Sequence, residues 1–409
     1  MKTVWYMSKY AGPPYVRVTS RAFFLLKELN KLGYDGILFT SDSNHQTTPP
    51  EFSGKSYYHT VENVPFLWLK TLKFKRSESI MRILSWLHFE WQLITLNKSK
   101  FNKPDIVIAS SLSLLTILSG LYFKKRYKAK LIVEIRDIWP LSIIDEGNYS
   151  PSNPAVRFLS WIERLGYHHA DAIIGTMPNL AAHVNDVLGY QKPHIYCIPQ
   201  GYDKEADKHF TPIDDEFVKT YVPEGKFTVC YAGTVGLTNS LDKMMDAAKQ
   251  LSGKNPDIHF LIVGEGDARE SLIKQANQLE NVTIAPPIPN TQVHSLLSQH
   301  ADLLFLAVTK SKLWHYGQSL NKLVDYMRAG KPIIAAYDGY QSMINEAACG
   351  SFIDPDDADA LAQEIERYAA MPETERTQIG NRAAHWIKEN RSFDKLGKEL
   401  SSIIETISS

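Results

Sequence analysis

The sequence predicts two consecutive α/β domains, each a doubly wound parallel sheet with helices on both faces, the two facing a central cleft. Short apolar runs alternate with helical patterns along nearly the whole chain, which is the punctuation of βαβ units. The alternation starts afresh after a polar stretch at residues 201–217, a natural boundary. The 409 residues exceed one ordinary core and suit two domains of about 150 to 200 residues each.

The first domain, residues 1–205, opens with a strand at 3–7, a helix at 20–32 and a strand at 37–40. Phe23, Leu26, Leu29 and Leu32 fall near helical spacing, and Gly33 can end that helix in a left-handed conformation. Strands follow at 105–109, 130–135 and 172–174. The second domain, residues 206–390, begins with the strand FTVCYAG at Phe227. It continues with a helix at 241–251, strand HFLIVG, a helix at 268–279, strand NVTIA and a helix at 291–298. Strand LLFLAV, a helix at 320–329 and strand PIIAAY complete the pattern before further helices, the last at about 393–407. Two Rossmann-like sheets result, and ligands of such sheets bind at the carboxyl ends of the strands.

Lys plus Arg and Asp plus Glu number 45 each, with 44% apolar and 11% aromatic residues. Such a chain is globular, and its balanced charge gives no reason to expect a nucleic-acid partner. Cys197, Cys230 and Cys349 are odd in number and lie in apolar or small-residue contexts, so buried free thiols in a reducing cytoplasm are expected. Met1 and Lys2 lead into a strand-like run, and no stretch of about 18 apolar residues occurs; neither a signal peptide nor a spanning helix is expected.

The segment HYGQSLNKLVDYMRAGKPII, beginning at His315, carries the most chemistry. Ser319 is placed to cap a helix whose first turn holds Asn321 and Lys322, with Asp325 one turn deeper on nearly the same face. Free amides and Lys322 suit a diphosphate, and Asp325 suits ribose hydroxyls. Leu323, Val324 and Met327 form the core face, and Gly330 and Pro332 end the helix. The competing reading is an ordinary amphipathic helix whose Asn, Lys and Asp are solvated.

That segment resembles the signature of family 4 retaining glycosyltransferases, especially their bacterial surface polysaccharide branch, through Ser319, Asn321, Lys322, Asp325, Tyr326, Met327, Ala329, Gly330, Lys331 and Pro332. YAGTVGLTNSLD resembles that family's first strand and glycine turn in the second domain, with Gly233 at the diphosphate. FLIVGEGDARESL places Gly264 near the nucleotide, and NVTIAPPIPN, with Ile288, resembles the stretch whose backbone meets the base. AGPPYVRVTSRAFFLLKEL resembles the first loop and helix, which puts Gly12 beside the diphosphate from across the cleft. The resemblance covers nearly the whole chain and implies a GT-B fold. It also implies a sugar nucleotide, with UDP as the expected nucleotide, on the second domain, an acceptor on the first, and a last helix, residues 391–409, packed back on the first domain.

The chain also departs from the family. The broader family often carries a second acidic residue eight positions before Asp325, where this chain has Gly317, and the Arg and Lys of the glycine turn are replaced by Thr234 and Asn239. Lys322 is left as the clearest cation for the diphosphate, and Leu320 with its neighbours is expected to act through backbone amides. His315 and Tyr316 could contact the sugar, with aromatic packing as the rival. In VEIRDIWPLSIIDEG, Arg136 and Asp137 stand where many relatives have a His. Asp137 could accept or orient the acceptor's proton, and Arg136 could pair with Glu134, Asp137 or a phosphate. The rival there is a strand-end ion pair beside a Trp139–Pro140 turn. The resemblance implies front-face attack assisted by the departing diphosphate, with the protein positioning groups and stabilising charge.

No metal cofactor is expected: Asp354 and Asp356 read as a solvated helix start, and His168 and His169, being adjacent, should point apart. Residues 66–94 mix Trp68, Phe74, Trp86 and Trp91 with Lys70, Lys73, Lys75, Arg76 and Arg82, followed by Lys124, Lys125, Arg126, Lys128 and Lys130. The mixture suits an anionic membrane surface, with buried domain helices bearing solvated lysines as the alternative. A lipid-diphosphate-linked saccharide acceptor is expected with it. Two further functions share the architecture: a sugar-nucleotide 2-epimerase, which needs paired acid/base groups not found here, and a non-catalytic scaffold, against which Asn321, Lys322 and Asp325 argue.

Overall fold

The computed structural model describes residues 1–14, 20–74, 80–111, 113–147 and 149–409. The chain divides into two compact units, Met1–Asp203 with Phe393–Ser409, and Lys204–Ser392.

The first unit contains β1 (Thr3–Met7), α1 (Arg21–Lys31), β2 (Asp35–Ser41), β3 (Ser56–Val61), β4 (Val64–Leu69), α2 (Ile80–Thr95), β5 (Ile106–Ser110) and α3 (Thr116–Tyr127). It continues with β6 (Lys130–Ile135), α4 (Leu141–Asp145), α5 (Pro154–His169), β7 (Ala172–Gly175), α6 (Leu180–Leu188) and β8 (Ile195–Cys197). Its sheet runs β3-β4-β2-β1-β5-β6-β7-β8, parallel except for β3. The antiparallel edge strand was not foreseen. It is reached through Glu62 and Asn63, both at positive φ, as in a tight hairpin turn.

The second unit contains α7 (Asp215–Tyr221), β9 (Phe227–Ala232), α8 (Leu241–Leu251), β10 (Ile258–Val263), α9 (Arg269–Ala276), β11 (Val282–Ala285), α10 (Asn290–His300) and β12 (Leu303–Ala307). Then come α11 (Asn321–Ala329), β13 (Ile333–Ala336), α12 (Met343–Ala347), β14 (Gly350–Ile353), α13 (Ala358–Ala370) and α14 (Glu373–Asn390). Its sheet is wholly parallel in the order β11-β10-β9-β12-β13-β14. The last helix, α15 (Phe393–Ser408), returns to the first unit. There Phe393 stacks on Phe24 of α1 (centroids 4.7 Å apart), and Leu396, Leu400, Ile404 and Ile407 join the first core.

The structure divides residues 66–94 between core and surface, with Trp91 66% exposed. Phe66 and Trp68 lie on β4 inside the core, and Trp86 is buried with its indole nitrogen donating to the Tyr10 hydroxyl at 2.7 Å. Lys75 and Arg76 lie outside the described residues. No helix among the described residues is long and apolar enough to cross a membrane. The thiols of Cys230 and Cys349 are buried, whereas Cys197 is half-buried; all three are free.

Candidate functional site

In the second unit, polar groups gather at the carboxyl ends of β9, β10 and β12. Gly233 ends β9 at φ 154° and Gly264 follows β10 at φ 152°. A Cβ on Gly264 would stand 1.8 Å from the Gly233 carbonyl oxygen, and one on Gly266 would stand 2.3 Å from that of Val235. The two loops also exchange backbone bonds: the Gly233 amide donates to the Val263 carbonyl (3.0 Å), and the Val235 amide to that of Glu265 (2.9 Å). Only glycine permits this approach, so the floor of the site is backbone.

Lys322, in the first turn of α11, stands over that floor. Its ammonium donates to the Tyr231 hydroxyl (2.7 Å) and the Asn239 Oδ1 (2.6 Å), and lies 4.7 Å from the Tyr231 ring centroid. A Cβ on Gly233 would be 3.6 Å from the Lys322 Nζ. Burial lowers the lysine to about 8. The Tyr231 hydroxyl in turn donates to the Thr234 carbonyl (2.6 Å), which fixes the glycine turn, while the Thr234 side chain faces solvent. Tyr326, one turn along α11, accepts from the Ala232 amide (2.9 Å) and locks the helix to the end of β9.

The expected cap on α11 is corrected. Helix geometry begins at Asn321, so Leu320 is the N-cap and makes no side-chain bond; Ser319 lies one residue too early. With leucine at the N-cap, the start of α11 gets no cap from that side chain, and the amides at a helix start suit an anion. Asn321 is exposed. Asp325 keeps an exposed side chain in crowded surroundings; desolvation raises it to about 6, against the pull of Arg328. His315 and Tyr316 lie in the 3-10 turn Lys312–Tyr316 that precedes α11.

Gln318 escaped the sequence reading. Its side chain is buried, and neither its amide oxygen nor its nitrogen has a hydrogen-bond partner among the described residues. The available signal was its place next to Gly317, where a family carboxylate is missing. Ile288 follows the edge strand β11, two strands from β9 or roughly 10 Å. It lines an open recess of about 420 Å³ with Asp214, Phe217, Tyr221 and Gln292. Asp354 and Asp356 hold the Lys310 ammonium at 2.8 and 3.1 Å.

In the first unit, Gly12 is buried beyond β1. Its amide donates to the Ser20 Oγ (3.2 Å), and a Cβ there would strike Thr47. Arg136 and Asp137 leave the end of β6. Glu134 pairs with Arg21 (2.8 Å, both side chains 1% exposed) and makes no ion pair with Arg136. Burial pushes the Glu134 carboxyl upward, but Arg21 and Arg136 outweigh it and its pKa lies below the ordinary value. Asp137 is exposed, and desolvation raises its carboxyl against the pull of Arg136 and Arg82. The Trp139 amide closes a turn on the Asp137 carbonyl (3.0 Å). His168 and His169 do not point apart: at the end of α5 their rings meet edge to face, 4.7 Å between centroids, with His168 bonded to the Tyr190 hydroxyl (2.9 Å).

Two doubly wound units, each with its polar groups at the carboxyl edge of the sheet, define the GT-B class of glycosyltransferase. Solved structures of this class match the chain end to end. Sucrose-phosphate synthase from Thermosynechococcus elongatus aligns with a TM-score of 0.72 and 15% identity over 100% of this chain and 99% of that one. The E. coli trehalose-6-phosphate protein bound with UDP-2-fluoro glucose aligns at 0.73 and 12%, over 100% and 99%. Anabaena HepE in complex with UDP-glucose aligns at 0.64 and 13%, over 100% of both chains. Residues 18–206 match Glycosyltransferase Family 4, and residues 212–386 match Glycosyl transferases group 1.

The chain therefore belongs to the glycosyltransferases that join a family 4 domain to a group 1 domain. Among characterised relatives, 2-deoxystreptamine N-acetyl-D-glucosaminyltransferase of Niallia circulans is 26% identical over 321 residues, 75% of this chain and 77% of the relative. Alpha-D-kanosaminyltransferase of Streptomyces kanamyceticus is 24% identical over 196 residues, 47% of this chain and 49% of the relative.

Proposed function

We propose that the second unit binds a UDP-sugar and that the enzyme transfers its hexose or N-acetylated amino sugar, with retention, to a lipid-diphosphate-linked saccharide. The setting is surface polysaccharide assembly, such as O-antigen or capsule, at the inner face of the cytoplasmic membrane. The observation that carries the donor half is Lys322: a half-buried ammonium beside a glycine floor, at the start of a helix whose N-cap is a leucine, is suited to a diphosphate. Relatives of the same fold bound to UDP-glucose and UDP-2-fluoro glucose support UDP, and the amino-sugar names of both characterised relatives support an amino sugar.

In the reaction, the bond from the anomeric carbon to the diphosphate oxygen breaks and a bond to the acceptor oxygen forms on the same face. The acceptor's proton passes to the departing diphosphate. Lys322 and the amides of Leu320 and Asn321 stabilise the leaving charge, Asp325 holds the ribose, and the unpartnered Gln318 amide reads the donor sugar's hydroxyls. Asp137 orients the acceptor hydroxyl, and no metal is required. Calorimetry with UDP, GDP and their sugars tests the donor half. UDP should bind selectively and be weakened in Lys322→Ala and Asp325→Ala; absence of nucleotide binding would return the chain to the scaffold reading.

Membrane contact rests on α2, whose outward face is apolar although Trp86, Phe89 and Leu93 already fill its inward face. Its inward face carries Ser85, bonded by the buried Lys9 (3.0 Å), and Glu90, bonded by Thr116 (2.7 Å) and Ser119 (2.5 Å). Its outward face shows Ile80 (76% exposed), Leu87 (51%) and Trp91 (66%), with exposed Lys70, Lys73, Lys125 and Arg126 elsewhere on the unit. An apolar stripe on a basic unit fits an anionic bilayer. Sedimentation with anionic vesicles should carry the protein down and lose the Leu87→Ser/Trp91→Ser variant; failure of the unaltered protein to sediment would reject the contact.

A further inference from the structure

At the carboxyl edge of the first sheet the strand order reverses between β1 and β5, which are neighbours although β2 follows β1 in the chain. Ligands of doubly wound sheets bind at such reversals. β5 ends on Ser110, and the loop beyond it carries Ser111 and Ser113 and leads into α3. It is strapped to the end of β6: the Ser111 amide donates to the Glu134 carbonyl (2.8 Å), and the Ser111 hydroxyl accepts from the Arg136 amide (3.3 Å).

Around that strap, buried polar atoms lack partners. The hydroxyls of Ser8, Ser110 and Ser113 find no partner among the described residues, and each residue is 1% exposed. Ser110 pairs in register with Glu134, and the β1–β5 register, extended one step beyond Met7 and Ala109, brings Ser8 to the same level. Each unsatisfied buried group costs about 1 to 3 kcal/mol, so three together call for oxygens from outside the chain, whether of water or of a ligand.

Charge narrows the choice. Arg21 takes Glu134, and Arg136, half-buried and with an unbonded Nε, makes no ion pair among the described residues. Three guanidiniums, Arg21, Arg82 and Arg136, act here on two carboxylates, Glu134 and Asp137. We propose that this edge is an oxyanion pocket in which Arg136 and the serine hydroxyls at the end of β5 and in the loop after it receive a phosphoryl group of the acceptor. A planar guanidinium and hydroxyl donors both match phosphate oxygens. The assignment to the acceptor rests on the reading of the first unit as the acceptor half.

The test titrates inorganic phosphate into Lys322→Ala protein, which lacks the second unit's cation, followed by phosphorus NMR. Phosphate should still bind. Adding Arg136→Gln should weaken it by about tenfold or more, Arg136→Lys should recover part of the loss, and Ser110→Ala/Ser113→Ala should weaken it by a few fold. Absence of phosphate binding in Lys322→Ala, or unchanged affinity on adding Arg136→Gln with an unaltered melting transition, overturns the pocket. UDP affinity keeps the two readings apart: its loss in Lys322→Ala alone reports on the donor site. An equal loss of UDP and phosphate affinity in the Arg136→Gln single variant would assign the oxyanion to the donor and overturn the acceptor assignment.

Discussion

At the carboxyl edge of the second sheet the polar work falls to backbone groups and one lysine; at the same edge of the first sheet it falls to buried charged side chains. Gly233, Gly264 and Gly266 press two loops together so closely that no side chain fits between them. Lys9, Arg21, Glu90 and Glu134 instead place ionisable groups where water does not reach. A backbone floor is vulnerable to added volume and nearly indifferent to pH, whereas buried charge is vulnerable to loss of a partner and to protons.

The largest expected effect is steric. Gly264→Ala should destabilise the second unit by more than about 3 kcal/mol, because its Cβ meets the Gly233 carbonyl. Denaturant unfolding that leaves this transition unmoved would show that the floor can relax. Next in size, Arg21→Met leaves Glu134 buried and unpaired and should cost about 3 to 5 kcal/mol, most of it recovered in Arg21→Met/Glu134→Leu. A double variant as unstable as the single one would mean that the pair holds more than its own charges.

The lysine sharpens the contrast by pH. Lys322 carries its charge below about 8, so UDP affinity should decline as pH rises through that value, from a Lys322→Ala variant already weaker by about 1.5 to 3 kcal/mol and flat in the same range. Parallel calorimetric profiles for the two proteins would contradict this.

The remaining effect lies in the first unit. Burial raises Glu90 from 4.5 to about 7, so between those values the folded state holds a proton that the unfolded chain has released. Stability should fall as pH rises there, by up to about 1.4 kcal/mol per pH unit. Burial lowers Lys9 from 10.5 to about 7; above 7 the unfolded chain binds the extra proton and this contribution rises. Together they give a minimum near pH 7, and Glu90→Gln should erase the falling limb in urea titrations taken across the range.

The same contrast decided what could be read in advance. Periodicity located the central strands and α11, because fully buried parallel strands are continuous apolar runs. The edge strand β3 has no such run: its residues are half-buried or exposed, and its turn uses Glu62 and Asn63 where a glycine would have signalled it. Trp68 and Trp91 look alike in sequence, yet one is 0% and the other 66% exposed, since composition does not tell a core strand from the outer face of a helix. Lys322 was legible from its motif. Tyr231, which holds it, and Gln318 were not, because their significance lies in a hydroxyl that is bonded and an amide that is not.

The return of α15 to the first unit has a consequence for how the protein is made. The α1 surface that receives Phe393, Leu396 and Leu400 leaves the ribosome long before its cover does. At about 5 to 20 residues per second, synthesis of the intervening unit takes on the order of ten seconds or more. During that interval the nascent first unit displays an unfinished apolar seam, an opening for chaperones and a hazard in their absence. The second unit, continuous in the chain, carries no such delay.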